Sequence, residues 1–285
     1  MTFLAMIIAL VLVQVWGSGG RVQHDDWFRR WQARIAAWGV APLVKLAAVV
    51  LLPVVLAQIV LDAVQPALFG LLWIALAVVL LLYSFGRRDF HELMERYRGQ
   101  CHSGDFEGAY LTTLAELGWA SEKDDPVSPQ EVHALVQRGF FYEGYQRWFS
   151  VLFYFLLLGP GGALAYRLLQ LCRHNFEESL TERCLFLMDW VPARILAAVF
   201  ALTGDFVGSR DKLLEAALDV SAEASQLLYA VGSAALGGAA GRGPIDPDDS
   251  GFGESAARQN REAGSLLARS AACWVAVISL AVVLL

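Results

Sequence analysis

The chain has 285 residues, 56% hydrophobic and only 18% charged, with a mean hydropathy of +0.48; a soluble globule of this length could not hide so much apolar surface, and a disordered or collagen-like chain needs far less of it. Lys and Arg number 22 against 28 Asp and Glu, a net charge of −6, so the broad basic footprint of a nucleic-acid partner is missing and none is expected. The composition is that of a chain resident in a lipid bilayer.

Taken in chain order, Met1 to Trp16 is an almost pure apolar run with no positively charged start and no small-residue cleavage site after it, so it reads as a retained, short first span. In the next stretch Trp27, Trp31, Ile35 and Trp38 project within about 80° of one another on a helical wheel, with Arg29 opposite. An interfacial helix over 22–38 is predicted, its Trp face either in the headgroup layer or packed on neighbouring spans. Val40 to Leu61 and Pro66 to Phe85 are apolar blocks, each of about 20 residues, long enough to cross a ~30 Å hydrocarbon layer. Between them lies only the short turn from Asp62 to Gln65.

The polar region 86–147 divides at its stop signals into a helix from Arg88 to Arg98 ended by Gly99 and another from Asp105 to Leu117 ended by Gly118. After a polar loop, Ser128-Pro129-Gln130-Glu131 places Ser at a helix N-cap, Pro at N1 and Glu at N3. Along the helix that follows, Phe140, Phe141, Tyr142, Tyr145, Trp148 and Phe149 predict an aromatic belt at the water interface. A fourth span, Trp148 to Cys172, is interrupted near its middle by Gly159-Pro160-Gly161-Gly162, where helix hydrogen bonding cannot be continuous. Cys184 to Thr203 is apolar except for Asp189 and Arg194; it is followed by an amphipathic stretch from Ser209 to Leu228, a Gly, Ala, Pro and Asp-rich linker from Gly232 to Gly253, and a last span from Ala271 to Leu285.

Six spans result, in an all-α polytopic membrane bundle with one discontinuous span and helical cytoplasmic loops. The connections 17–39, 86–147 and 204–270 hold four, seven and six Lys or Arg, against none at 62–65 and two at 173–183. The positive-inside bias then places the three long loops in the cytoplasm and both termini outside, provided that 184–203 crosses the bilayer rather than re-entering it. The units expected are 1–85 with three spans, 86–147, 148–203 with the motif-bearing spans, 204–270, and the span 271–285.

Several chemistries find no support. The four cysteines, Cys101, Cys172, Cys184 and Cys273, contain no Cys-x-x-Cys pair, and the five histidines no His-Glu-x-x-His, so neither a disulfide scaffold nor a metal site is expected. No Gly-x-x-x-x-Gly-Lys-Ser/Thr loop or Gly-x-Ser-x-Gly elbow occurs.

Two motifs remain. In Asp189-Trp190-Val191-Pro192-Ala193-Arg194, a charge within a span costs at least about 2.5 to 3.5 kcal/mol on insertion scales, so both charges should face a polar cavity or each other. That serves function, or else structure, with Pro192 freeing a carbonyl one turn back and Arg194 meeting a carboxylate elsewhere. In Gly159 to Arg167, the unpaired backbone groups of a broken helix are tolerated only where they are buried in protein or line a cavity, and Arg167 is placed to hold an anion there. The ligand-binding set predicted is therefore Gly159, Gly161, Gly162, Tyr166, Arg167, Asp189 and Arg194. Glu143, four residues before Arg147, reads as half of an interfacial ion pair.

GPGGALAYR and DWVPAR are similar to the paired signatures of the cobalamin-pathway membrane amide synthases of the CobD/CbiB type. The whole chain, with its short first span, DWVPAR and C-terminal span, more closely resembles the AmpE family, membrane proteins encoded beside the AmpD amidase in β-lactamase induction operons. The synthases carry an acid-amide-acid cluster before the glycine motif and an Asn-Thr-Leu-Asp run after the Tyr-(Arg/Lys). Here those places read Phe140-Phe141-Tyr142-Glu143-Gly144 and Gln170-Leu171-Cys172-Arg173, and the synthases' His-Pro is His24-Asp25. Amide-bond formation with ATP and Mg²⁺ needs carboxylates to hold the metal, and most of them are gone.

The resemblance therefore implies a multi-pass protein of the bacterial inner membrane. It would act as a sensor or regulator in cell-wall recycling and β-lactamase induction, without a cofactor, with a small anionic ligand and a cytoplasmic protein as partners. The rival expectation is an ATP- and Mg-dependent amide synthase using Glu143 and Asp189.

Overall fold

The computed structural model describes residues 1–16, 23–87, 90–117, 128–173, 175–237 and 251–284. Among them the regular structure is helical throughout, with no strand, as a membrane bundle requires. Four helical stretches, Pro42–Val64, Pro129–Cys172, Glu178–Thr203 and Phe252–Leu280, are long and apolar enough to cross a bilayer. The other two expected spans are shorter helices; the first has the short length read from the sequence, and the second is shorter than expected. The first is α1 (Thr2–Trp16); the second is α4 (Leu71–Ser84), which starts late because a 3-10 turn, Ala67–Gly70, takes up the residues after Pro66. At ~1.5 Å per residue each reaches about 20 Å, less than the ~30 Å hydrocarbon layer.

The chain forms two compact units. The first comprises Met1–Arg88 and Gln146–Pro192. In it α8 (Ser150–Cys172) packs against α1, α3 (Pro42–Val64) and α4, while α2 (Asp26–Ala36) lies on α3. Phe28, Ile35, Val49, Leu164, Leu168 and Phe176 are central to its core. The Trp face predicted for 22–38 is divided: Trp31 donates its indole N–H to the Val49 carbonyl at 3.2 Å and Ile35 is buried, whereas Trp27 and Trp38 are exposed.

The second unit comprises Asp89–Tyr145 and Ala193–Leu285. It holds α5 (Phe90–Ser103), α6 (Phe106–Leu117), α7 (Pro129–Gly144), the C-terminal part of α9 (Glu178–Thr203), α10 (Phe206–Leu218), α11 (Ala224–Ala235) and α12 (Phe252–Leu284). Its core joins α5, α6, α7 and α12 through Tyr97, Ala109, Val136, Phe140 and Phe252. Within it Tyr97 Oη lies 2.6 Å from His133 Nδ1 and His133 Nε2 lies 2.9 Å from Gln259 Oε1, so the tautomer that satisfies both carries its proton on Nε2.

The N-cap predicted at Ser128 is present, its hydroxyl accepting the Glu131 N–H at 3.3 Å. Gly99 does not end α5; the helix runs on to Ser103 and stops at Gly104, whose φ of 73° gives the left-handed turn that glycine allows. The amphipathic stretch 209–228 is two helices, because Asp219 to Glu223 leaves helical geometry between α10 and α11. Gly232 is not linker but part of α11, buried where a Cβ would lie 2.8 Å from the Phe141 ring. Gly118 and the linker's 238–250 lie outside the described residues.

The predicted aromatic belt is also corrected. Phe140, Phe141, Tyr142, Tyr145 and Phe149 are at most 4% exposed and form core, with Phe141 against Phe200 and Phe140 against Tyr97. Bundle helices cover them, which aromatic composition alone does not reveal.

Candidate functional site

The interruption in the fourth apolar block falls on one residue. Gly159 has φ 73° and ψ −164°, a conformation that L side chains avoid, and Pro160 restarts the helix from a position where its missing N–H has no helical partner to lose. Tyr154 and Tyr166 flank this break. On a straight helix their Cα atoms would be ~18 Å apart, yet their rings stack with centroids 5.3 Å apart and planes 20° from parallel. The two halves of α8 therefore fold against each other. Gly162 sits at the closest approach, where a Cβ would be 2.6 Å from the Tyr154 carbonyl oxygen and 2.5 Å from Leu158 Cβ. Gly161 faces α3, where a Cβ would lie 3.3 Å from Gln58 Oε1.

Both tyrosines reach α9 at the second motif. Pro192 lacks the N–H that would bond the Met188 carbonyl one turn back, and the Tyr154 hydroxyl donates to that carbonyl at 2.7 Å instead. The Tyr166 hydroxyl donates to Asp189 Oδ1 at 2.8 Å and accepts from Gln170 Nε2 at 2.9 Å. Asp189 is 3% exposed, so these bonds hold a carboxylate where an unpaired one would be very unfavourable.

Arg167, next to Tyr166, is 8% exposed. Its positive charge reaches Asp25, in the connection that leads into α2. Asp25 accepts hydrogen bonds from Tyr83 Oη at 3.0 Å and Arg87 Nε at 2.9 Å, and forms an ion pair with the Arg87 guanidinium. Arg87 also lies over the Tyr83 ring, 4.6 Å from its centroid. Burial pushes the Asp25 carboxyl upward, but the hydrogen bonds of Arg87 and Tyr83 and the charges of Arg87 and Arg167 together outweigh it and hold the group below its ordinary value.

Of the predicted residues, Gly159, Gly161, Gly162, Tyr166, Arg167 and Asp189 belong to the first unit. Arg194 belongs to the second, half-buried, its Nη2 donating to the Asp219 carbonyl at the end of α10. Glu143 is also in the second unit, buried on α7. Among the described residues no three His, Cys, Asp or Glu side chains gather closely enough to hold a metal ion.

Reading the sequence missed Tyr154, Gln170, Asp25, Tyr83 and Arg87. For Tyr154 a signal existed: the carbonyl four residues before Pro192 needs a donor, and a tyrosine within a neighbouring span can supply one. For Asp25 and Arg87 the sequence offered only an acidic pair, Asp25-Asp26, and a basic pair, Arg87-Arg88, just outside apolar segments, with nothing to join them.

The family described as regulatory signalling modulator protein AmpE matches residues 1–237. Nothing matches among curated proteins or among solved structures. With more than four fifths of its length matched, and with the helices that a membrane regulator needs, the chain belongs to the AmpE family.

Proposed function

We propose that this protein is an inner-membrane sensor in cell-wall recycling and β-lactamase induction, and that it binds a small anionic ligand in its first unit. The observation that carries this is the burial of Arg167 beside the Tyr166–Asp189 pair and the broken segment of α8. A guanidinium is always charged and offers a planar fork of donors, so in a desolvated setting it favours carboxylate or phosphate groups. The backbone freed around Gly159 supplies further polar groups. On this proposal the scaffold is shared with the CobD/CbiB-type synthases, and the chemistry differs because the metal-holding acids are missing.

The full chain in lipid nanodiscs, titrated calorimetrically with soluble cell-wall fragments that carry free carboxylates, tests it. Binding by the native protein, weakened at least tenfold in Arg167→Gln and partly kept in Arg167→Lys at unchanged melting temperature, is expected. Equal affinities of native protein and Arg167→Gln would overturn the assignment. So would ATP turnover in the presence of Mg²⁺ that Asp189→Asn abolishes, which would make the protein a synthase.

A further inference from the structure

α10 carries apolar side chains that nothing among the described residues covers. Its packed side is small, with Ser209 and Ala216 buried against the second unit. On the opposite side, at ~100° per residue, Val207, Leu214 and Leu218 fall within about 40° of one another. They are 86%, 55% and 82% exposed, and Val220 just beyond them is exposed as well. Charges border this stripe in pairs: Arg210 with Asp211 at 3.3 Å and Lys212 with Glu215 at 2.8 Å. A helix facing only water turns its large apolar groups inward, which α10 does not.

The position in the fold says what covers the stripe. α10 begins three residues after α9, one of the helices apolar enough to cross the bilayer, and the exposed apolar surface runs on from Leu202 through Phe206 to Val207. The corner between them is fixed. The Asp205 N–H donates to the Ala235 carbonyl at 2.7 Å, the Asp205 carboxylate accepts from the Gly208 N–H at 3.0 Å, and Gly204 has no room for a Cβ, which would lie 2.5 Å from the same Ala235 oxygen. The stripe therefore starts at the level where a span meets the headgroups and is held at a set angle to it.

We infer that α10 is an in-plane membrane helix, with Val207, Leu214 and Leu218 inserted among the acyl chains and Arg210 and Lys212 among the lipid phosphates. The surface is a lipid contact and not a site for a protein partner. This goes beyond the proposed ligand site and does not depend on it.

Spin labels test the inference on the full chain in nanodiscs of phosphatidylethanolamine and phosphatidylglycerol. Cys184→Ser and Cys273→Ser leave only the buried Cys101 and Cys172. Nitroxides are then attached singly to Leu214→Cys, Leu218→Cys and, on the charged flank, Lys212→Cys. At 214 and 218, collision with dissolved oxygen is expected to exceed collision with a water-soluble nickel chelate severalfold, and the order is expected to reverse at 212. Nickel access at 214 and 218 equal to that at 212 would place the stripe in water and overturn the inference. Exclusion of both reagents at 214 and 218 would also overturn it, because a second copy of the chain would then cover the stripe.

Discussion

Tyr154 and Tyr166 stack ring on ring across a break in their own helix, and each sends its hydroxyl to one of two consecutive residues of α9, Met188 and Asp189. One glycine conformation and one proline thus set where the polar groups of the first unit sit. Gly159 brings the tyrosines together, and Pro192 creates the acceptor that one of them satisfies.

The glycines of the break should differ in tolerance. Gly159→Ala forces a side chain into a conformation that costs about 1–3 kcal/mol. Gly162→Ala adds a Cβ 2.5 to 2.6 Å from two neighbours and should lower the melting temperature in detergent at least as much. Gly161→Ala, whose nearest neighbour is a flexible glutamine end at 3.3 Å, should have the smallest effect. Equal melting temperatures for all three variants would contradict this geometry.

Tyr154→Phe leaves the Met188 carbonyl without its donor and should destabilise the protein by about 1–3 kcal/mol. Pro192→Ala restores the N–H that an ordinary helix would offer to that same carbonyl. In the Pro192→Ala background, Tyr154→Phe should therefore be milder. A double-mutant cycle by thermal denaturation measures the coupling, and additivity of the two changes would show that the hydroxyl serves some other purpose.

What was legible in the sequence was local. The cap at Ser128 depends on residues within one helical turn, and the break at Gly159 on two adjacent residues whose backbone limits are intrinsic. The burial of Asp189 followed from the energetics of a charge in an apolar segment. What was not legible depended on partners far along the chain. Phe140 and Phe141 have the composition of an interfacial belt but pack against Tyr97 and Phe200, and a single interior glycine at 99 did not outweigh the packing of α5. The Asp25–Arg87 pair joins residues 62 positions apart and has no periodic signature.

The same pair makes stability depend on pH in one direction. The folded carboxyl of Asp25 lies below its ordinary value of 3.8, so in acid the unfolded chain binds the proton first. The stabilisation is complete above about pH 4 and disappears as pH falls through the folded value. Melting temperatures of the native protein and Asp25→Asn should differ most near pH 7 and converge toward pH 3. A gap that widens in acid would refute the assignment.

Cys101 should be chemically quiet. Burial pushes its thiol up to about 11 although the Tyr97 hydroxyl draws it down, and it lies in the apolar core of the second unit. Alkylation by iodoacetamide at pH 8, followed by peptide mass mapping, should be slow at Cys101 in the native protein and fast in detergent-denatured chain. Comparable rates in the two states would mean that this core opens readily.

Arg147 is almost wholly buried, and its aliphatic stem fills the space that a side chain at position 86 would need. The Gly86 N–H meanwhile donates to the Arg147 carbonyl at 3.3 Å. The two positions therefore share one volume: a larger residue at 86 is admissible only alongside a shorter one at 147. Relatives that keep this geometry should exchange bulk between the two sites in step.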